Sequence, residues 1–335
     1  MGIQKRYNAI DVMKMIMAFN VVGIHVGTYF DLNYSSTVNF VLDMAVPFFF
    51  ICSGFFIQNK VSKSNDLFCV LKRSFVRYLK LYLLWHIIYF PVALRFLLVN
   101  SHDFKENLIY CVHNFLFVGE IVLSWPLWYL HGLIVSIILV YFLYKIKLSL
   151  IQIWIVSIML MLLGYFIGIA SVSDEYSSIK AISQSIVGLL GSAERNGPFR
   201  GFALVTTGMV IQKYLKIGRY NYVLGVSCIA ISYYLYYNSL PLYLILCGGG
   251  LFVAILSIRI SDHPLYVSLS FYSTMVYFIH MFFIIIAHML LKNNVNNATH
   301  IYLIWFIVFI VAWIVAIIMH DLKKHHYFKW INYLV

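Results

Sequence analysis

The chain has 335 residues, of which 62% are hydrophobic and 11% charged, with a formal net charge of +12 and a mean hydropathy of +0.86. Soluble domains carry about 25% charged residues, so these values exclude a water-soluble globular protein and point to an all-α polytopic bundle with lipid as its main solvent. Five cysteines, Cys52, Cys69, Cys111, Cys228 and Cys247, show no CxxC spacing; that argues against a disulfide framework or a zinc site, and no metal is expected.

The basic start, MGIQKRYNAI, leads into an apolar segment that runs past 20 residues without a small-residue cleavage site, so it is expected to stay as the first helix. A crossing needs about 20 mostly apolar residues. Such runs lie at 8–30, 38–58, 77–99, 125–145, 151–171, 199–216, 221–238, 240–259, 268–291 and 301–320, which predicts ten helices. The stretch LIYCVHNFLFVGEIVL (108–123) is shorter and more polar, and reads as an interfacial or re-entrant piece. With a cytoplasmic N-terminus, most of the 24 Lys and Arg fall on the inner side, among them Lys5, Arg6, Lys72, Arg73, Arg77 and Lys80; Arg95, Lys105, Lys180, Arg195, Arg200 and Lys292 fall outside. That asymmetry predicts that both termini are cytoplasmic. No internal repeat and no appended soluble domain is visible, so 1–335 reads as one integral membrane domain, its longest outer connections being 99–124 and 172–198.

Ionisable residues inside apolar helices are costly and mark function or a wet interior. In DVMKMIMAFNVVGIH (11–25), Lys14 and His25 are eleven residues apart, about 20° beyond three turns, and so share a face roughly 16 Å apart. Asp11 is one turn from Lys14 and in reach of it. Snorkelling of Lys14 to the interface and simple packing of His25 account for the same pattern. The second helix carries VPFFFICSGFFI (46–57), where Ser53-Gly54 offers a small polar group and close backbone approach, or ordinary small-residue packing. LKRSFVRYLKLY (71–82) holds Lys72, Arg73, Arg77 and Lys80, suited either to anionic headgroups or to a ligand's phosphates. Further along stand WPLWYLHG (125–132), ERNGPFRGF (194–202) and STMVYFIHM (273–281), the last placing His280 at a depth comparable to His25.

Taken together these motifs resemble the acyltransferase-3 family of integral membrane acyltransferases, of the cell-envelope O-acetyltransferase type, along essentially the whole chain. Lys14, ten intervening residues and His25, with Asp11 ahead, match the first-helix pattern; Phe49, Phe50, Ser53 and Gly54 match FFxxSG; LWYL (127–130), RNG (195–197) and YFIH (277–280) recur in the family. The family's arginines are typically spaced RxxR, whereas Arg73 and Arg77 are four apart, which leaves open whether Lys72, Arg73 or Arg77 meets the coenzyme.

The resemblance implies transfer of an acyl group, usually acetyl, from cytoplasmic acyl-CoA to a hydroxyl of an extracytoplasmic or lipid-linked carbohydrate, in the cytoplasmic membrane of a bacterium. It implies His25 as general base, Lys14 neutralising phosphate or fixing the first helix through Asp11, and Arg73, Arg77, Lys72, Ser53 and Gly54 along the acetyl-CoA path. His280, Arg195, Asn196 and Glu120 are candidates for acceptor binding or for orienting His25. No metal and no nucleic acid are expected; membrane lipids are. The extracytoplasmic esterase-like domain of some members is not expected within these 335 residues. The competing class is a secondary transporter of an envelope lipid or polysaccharide precursor, although two similar halves with paired broken helices are not evident; LCGGGLF (246–252) has no counterpart in the first half.

Overall fold

A computed structural model describes residues 7–64, 66–99, 103–192, 196–216, 218–291 and 297–335; Lys5, Arg6, Arg195 and Lys292 lie outside the described residues. Among the described residues there are helices and no strands: α1 (Asn8–Tyr29), α2 (Ser36–Asp43), α3 (Ala45–Ser64), α4 (Leu67–Val99), α5 (Phe104–His113), α6 (Trp128–Lys145), α7 (Leu150–Val172), α8 (Ser177–Leu190), α9 (Phe202–Tyr214), α10 (Tyr220–Tyr237), α11 (Tyr243–Leu256), α12 (Pro264–Leu291) and α13 (Ala298–Leu322).

Seven helical stretches among the described residues are long and apolar enough to cross a membrane by length and composition, α1, α2–α3 together, α4, the stretch ending in α6, α7, α12 and α13. The other three predicted crossings are helices at the expected places. However, α9 has 13 residues and α11 has 14, spanning about 20 Å of a core about 30 Å thick. The tyrosine-rich α10 has 18 residues. The predicted run 38–58 is two helices that meet at Met44.

Local chemistry explains several ends. Ser149 and Gln152 form a reciprocal capping box that starts α7, and the Asn297 side chain accepts from the His300 N–H at 2.9 Å to start α13. The connection 172–198, read as one of the longest outer connections, contains α8: its Ile186, Val187 and Leu190 pack on buried Ile167 and Phe199.

The helices cluster into two compact units, Met1–Phe49 with Lys216–Val335 (unit 1) and Phe50–Leu215 (unit 2); α3 passes from one to the other. In unit 1, α1, α12 and α13 pack on one another, burying Val22, Val26, Met281 and Ile284, and α10 lies along α11. In unit 2, α6 packs on α4 and α9, and α7 on α8 and α9, around Phe50, Leu127, Leu133 and Phe202. Here α3 and α9 meet main chain to main chain: a Cβ on Gly54 would overlap the Val205 carbonyl oxygen, and one on Gly208 the Ile51 carbonyl oxygen. The outer stripe of α4, with Ile87, Phe90, Leu94 and Leu98 exposed, suits lipid contact.

Candidate functional site

In unit 1 the spacing argument for α1 holds in three dimensions. Lys14 Nζ lies 3.3 Å from Asp11 Oδ1, an i,i+3 ion pair within one turn. Three turns on, the His25 ring stacks on His280 of α12, with centroids 5.2 Å apart and planes 25° apart. His280 is fully buried. Its Nδ1 lies 3.0 Å from the Val276 carbonyl oxygen, four residues back on the same helix. A carbonyl only accepts, so Nδ1 carries the hydrogen and Nε2 is a bare acceptor; Nε2 has no hydrogen-bond partner among the described residues.

Contacts the sequence does not announce brace this pair. Asn8 donates to Asp262 Oδ1 at 2.7 Å and to the Ile260 and Ser261 carbonyls, tying the start of α1 to the segment before α12. Trp305 of α13 donates to the Phe19 carbonyl at 2.8 Å and stacks on the Phe19 ring. At the C-terminal end of α1, a cavity of about 360 Å³ is lined by Ile24, Thr28, Asp31, Asn33, Asn39 and Asp43 among others. Ile24 and Thr28 share one helix face, Asp31 follows the end of the helix at φ +54°, and His25 lies about 100° round from Ile24.

In unit 2, Ser53 Oγ and Tyr129 OH are 2.8 Å apart, and Phe50 packs on Trp128 and Tyr129, so FFxxSG and LWYL meet each other. Gly54 is used for the crossing with α9. Lys72, Arg73, Arg77 and Lys80 are all exposed on α4, and Lys60 of α3 lies within electrostatic reach of Arg77 and extends the basic patch.

Glu120 lies within the 108–123 stretch and Asn196 beside it; the stretch is the end of α5 followed by one wide π-helical turn, Asn114–Val118, closed by Gly119 at φ +93°. Only glycine adopts that conformation freely. A helix that stops here leaves its last carbonyls without intrahelical partners. Three consecutive ones take side-chain donors from three separate segments. Tyr82 OH of α4 donates to Phe115 O at 2.5 Å, His131 Nε2 of α6 bonds Leu116 O at 3.1 Å, and Asn196 Nδ2 donates to Phe117 O at 3.1 Å. Half-buried Glu120 follows directly and lies within electrostatic reach of Tyr82. His86, Tyr82 and His131 were missed by the sequence reading, which weighed His25 and His280 alone; treating every intramembrane histidine as a candidate would have found two of the three. Among the described residues no group of three or more His, Cys, Asp and Glu is placed to hold a metal.

The acyltransferase-3 family, described as an acyltransferase domain, matches residues 7–319. An amino-acid racemase of Enterococcus faecalis is 27% identical over 206 residues, a match covering 58% of this chain and 26% of the racemase, so the chain spans about a quarter of that relative. No solved structure matches the chain.

Proposed function

Because this chain belongs to the acyltransferase-3 family of membrane acyltransferases, we propose that it moves an acetyl group from cytoplasmic acetyl-CoA to a hydroxyl of an extracytoplasmic or lipid-linked carbohydrate in a bacterial inner membrane. The single observation that carries the chemistry is the His25–His280 stack three turns along α1 from the Asp11–Lys14 pair. His25 takes the acceptor's proton as its oxygen attacks the thioester carbonyl; the C–S bond breaks and the coenzyme leaves as its thiol, taking up that proton. Attack by the hydroxyl directly, or by His25 first with an acyl-histidine in between, both use this imidazole.

Several features support the rest of the reading. The exposed Lys72, Arg73 and Arg77 can meet the coenzyme's phosphates by charge-assisted hydrogen bonds, with both termini on the same cytoplasmic side and ten crossings in all. The linked Ser53 and Tyr129 hydroxyls offer donors and acceptors to the pantetheine arm. His25→Ala should bind acetyl-CoA like the wild type in calorimetry on nanodisc protein, while transfer of labelled acetyl falls about 10²-fold or more. Arg73→Ala should weaken binding and leave melting unchanged. Normal turnover in His25→Ala would sink the role given to it.

The second reading, a secondary transporter, rests on ionisable residues buried within apolar helices, Asp11 and His280 among them. An amino acid, the substrate named for the racemase relative, then joins carbohydrates as a ligand to assay. Uptake into proteoliposomes without acetyl-CoA consumption would bring that reading forward.

A further inference from the structure

The groups around the π-helical turn in unit 2 have spent their hydrogens on main-chain carbonyls, and what they still offer is acceptors. His86 Nδ1 lies 2.9 Å from the Tyr82 carbonyl oxygen, four residues back on α4, so it carries the ring's hydrogen. Nε2 is then a lone pair; His86 is 8% exposed and that nitrogen has no partner among the described residues. Asn196 is 4% exposed, and its amide donates to both Phe117 O and Leu190 O, at 3.1 and 2.9 Å. Those two bonds fix which end is nitrogen, and the remaining Oδ1 has no partner among the described residues either.

The neighbours carry the same sign. Tyr82 has given its hydrogen to Phe115 O and keeps an acceptor oxygen; His131 holds Leu116 O through Nε2, which leaves Nδ1 as a lone pair in the neutral ring. The Tyr82 ring links the two imidazoles, 4.2 Å from His86 and 6.0 Å from His131 between centroids. Half-buried Glu120 lies within electrostatic reach of Tyr82. A buried acceptor left without a donor has lost its hydration with nothing in return, and this turn has two.

We infer that His86 Nε2 and Asn196 Oδ1, with Tyr82, His131 and Glu120 beside them, form a binding site for a neutral polyol that presents at least two hydroxyl donors. A neutral donor suits the place because transfer of an unpaired charge into such surroundings is far more costly. The use of this site to hold the acyl acceptor rests on the acyl-transfer reading; the binding itself does not.

The test is saturation-transfer NMR on protein in nanodiscs, free of sugar-based detergent. The probes are the methyl glycosides of glucose, galactose, mannose and N-acetylglucosamine, with glucosamine as a charged comparison. Wild type should bind at least one neutral glycoside saturably and prefer it to glucosamine. His86→Phe should weaken that binding about tenfold, the worth of one hydrogen bond, whereas His86→Gln, which keeps an acceptor, should stay within about threefold. His86→Leu replaces His86→Phe if the latter melts early. No saturable binding of any glycoside to the wild type means that the acceptors hold water only, and overturns the inference; so does equal binding to His86→Phe. Acetyl-CoA binding in the same samples is read separately, so failure of the transfer reading is told apart from failure of the site.

Discussion

His280 in unit 1 and His86 in unit 2 are built alike. Each bonds its Nδ1 to the carbonyl four residues back on its own helix, at 3.0 and 2.9 Å, and each leaves Nε2 buried without a partner among the described residues. Their settings differ. His280 faces a second imidazole, His25, on a regular helix that also carries the Asp11–Lys14 ion pair. His86 faces an irregular turn whose exposed carbonyls have absorbed the donors of Tyr82, His131 and Asn196. The two proposals give this one local device different uses: proton transfer beside His25, and ligand holding beside the acceptors of the turn.

The largest expected effect tests the scaffold of each unit, which relies on glycines at a helix crossing. In unit 2 a Cβ on Gly54 would overlap the Val205 carbonyl oxygen; in unit 1 one on Gly225 would lie 2.5 Å from the Gly250 carbonyl oxygen. Gly54→Leu should cost about 3 kcal/mol and Gly225→Leu about 2 kcal/mol, read as earlier thermal unfolding in detergent. Gly188→Ala, with open space around it, is the control; equal melting of Gly54→Leu and this control would refute the crossing.

The next effect separates the two histidines. His280→Phe keeps a ring to stack on His25 and removes the acceptor, so kcat should fall about tenfold or more with little change in KM for the acceptor. His86→Phe should raise KM for the acceptor instead. If both variants change only KM, the division of labour between the units is wrong, and if His280→Phe turns over normally, His280 is a packing residue.

The smallest effect lies outside the membrane segments. Lys180 donates to Asp174 Oδ1 at 2.6 Å, and this bond, with the lysine's charge, holds the Asp174 carboxyl below the ordinary carboxylate range. A lowered folded-state value gives a contribution present above the unfolded carboxylate pKa, about 3.9, and lost as pH falls through the folded value. Asp174→Asn should therefore lower Tm barely at pH 7, because the pair is exposed, and the difference from wild type should vanish in acid. A difference that grows in acid would reverse the assignment.

Much of the first helix was legible beforehand. The Asp11–Lys14 pair and the shared face of Lys14 and His25 follow from helix geometry within one segment, and the position of His280 in an apolar run marked it as costly to bury. Glu120 and Asn196 were legible as candidates, but not their connection: it runs through main-chain carbonyls exposed by a π-helical turn, which no residue pattern announces. Ser53 finding Tyr129 likewise joins residues 76 positions apart. Arg195 lies outside the described residues.

By itself the sequence determined the solvent, the helical class, the places of the apolar runs and the ion pair on α1, since each depends on composition or on contacts within a few turns. Only the tertiary structure decided which imidazole His25 meets, that Gly54 is consumed by a helix crossing, and that the polar groups beside Glu120 are left as acceptors. Those outcomes depend on where distant carbonyls and rings come to rest, and a donor can be assigned only once its acceptor has a position.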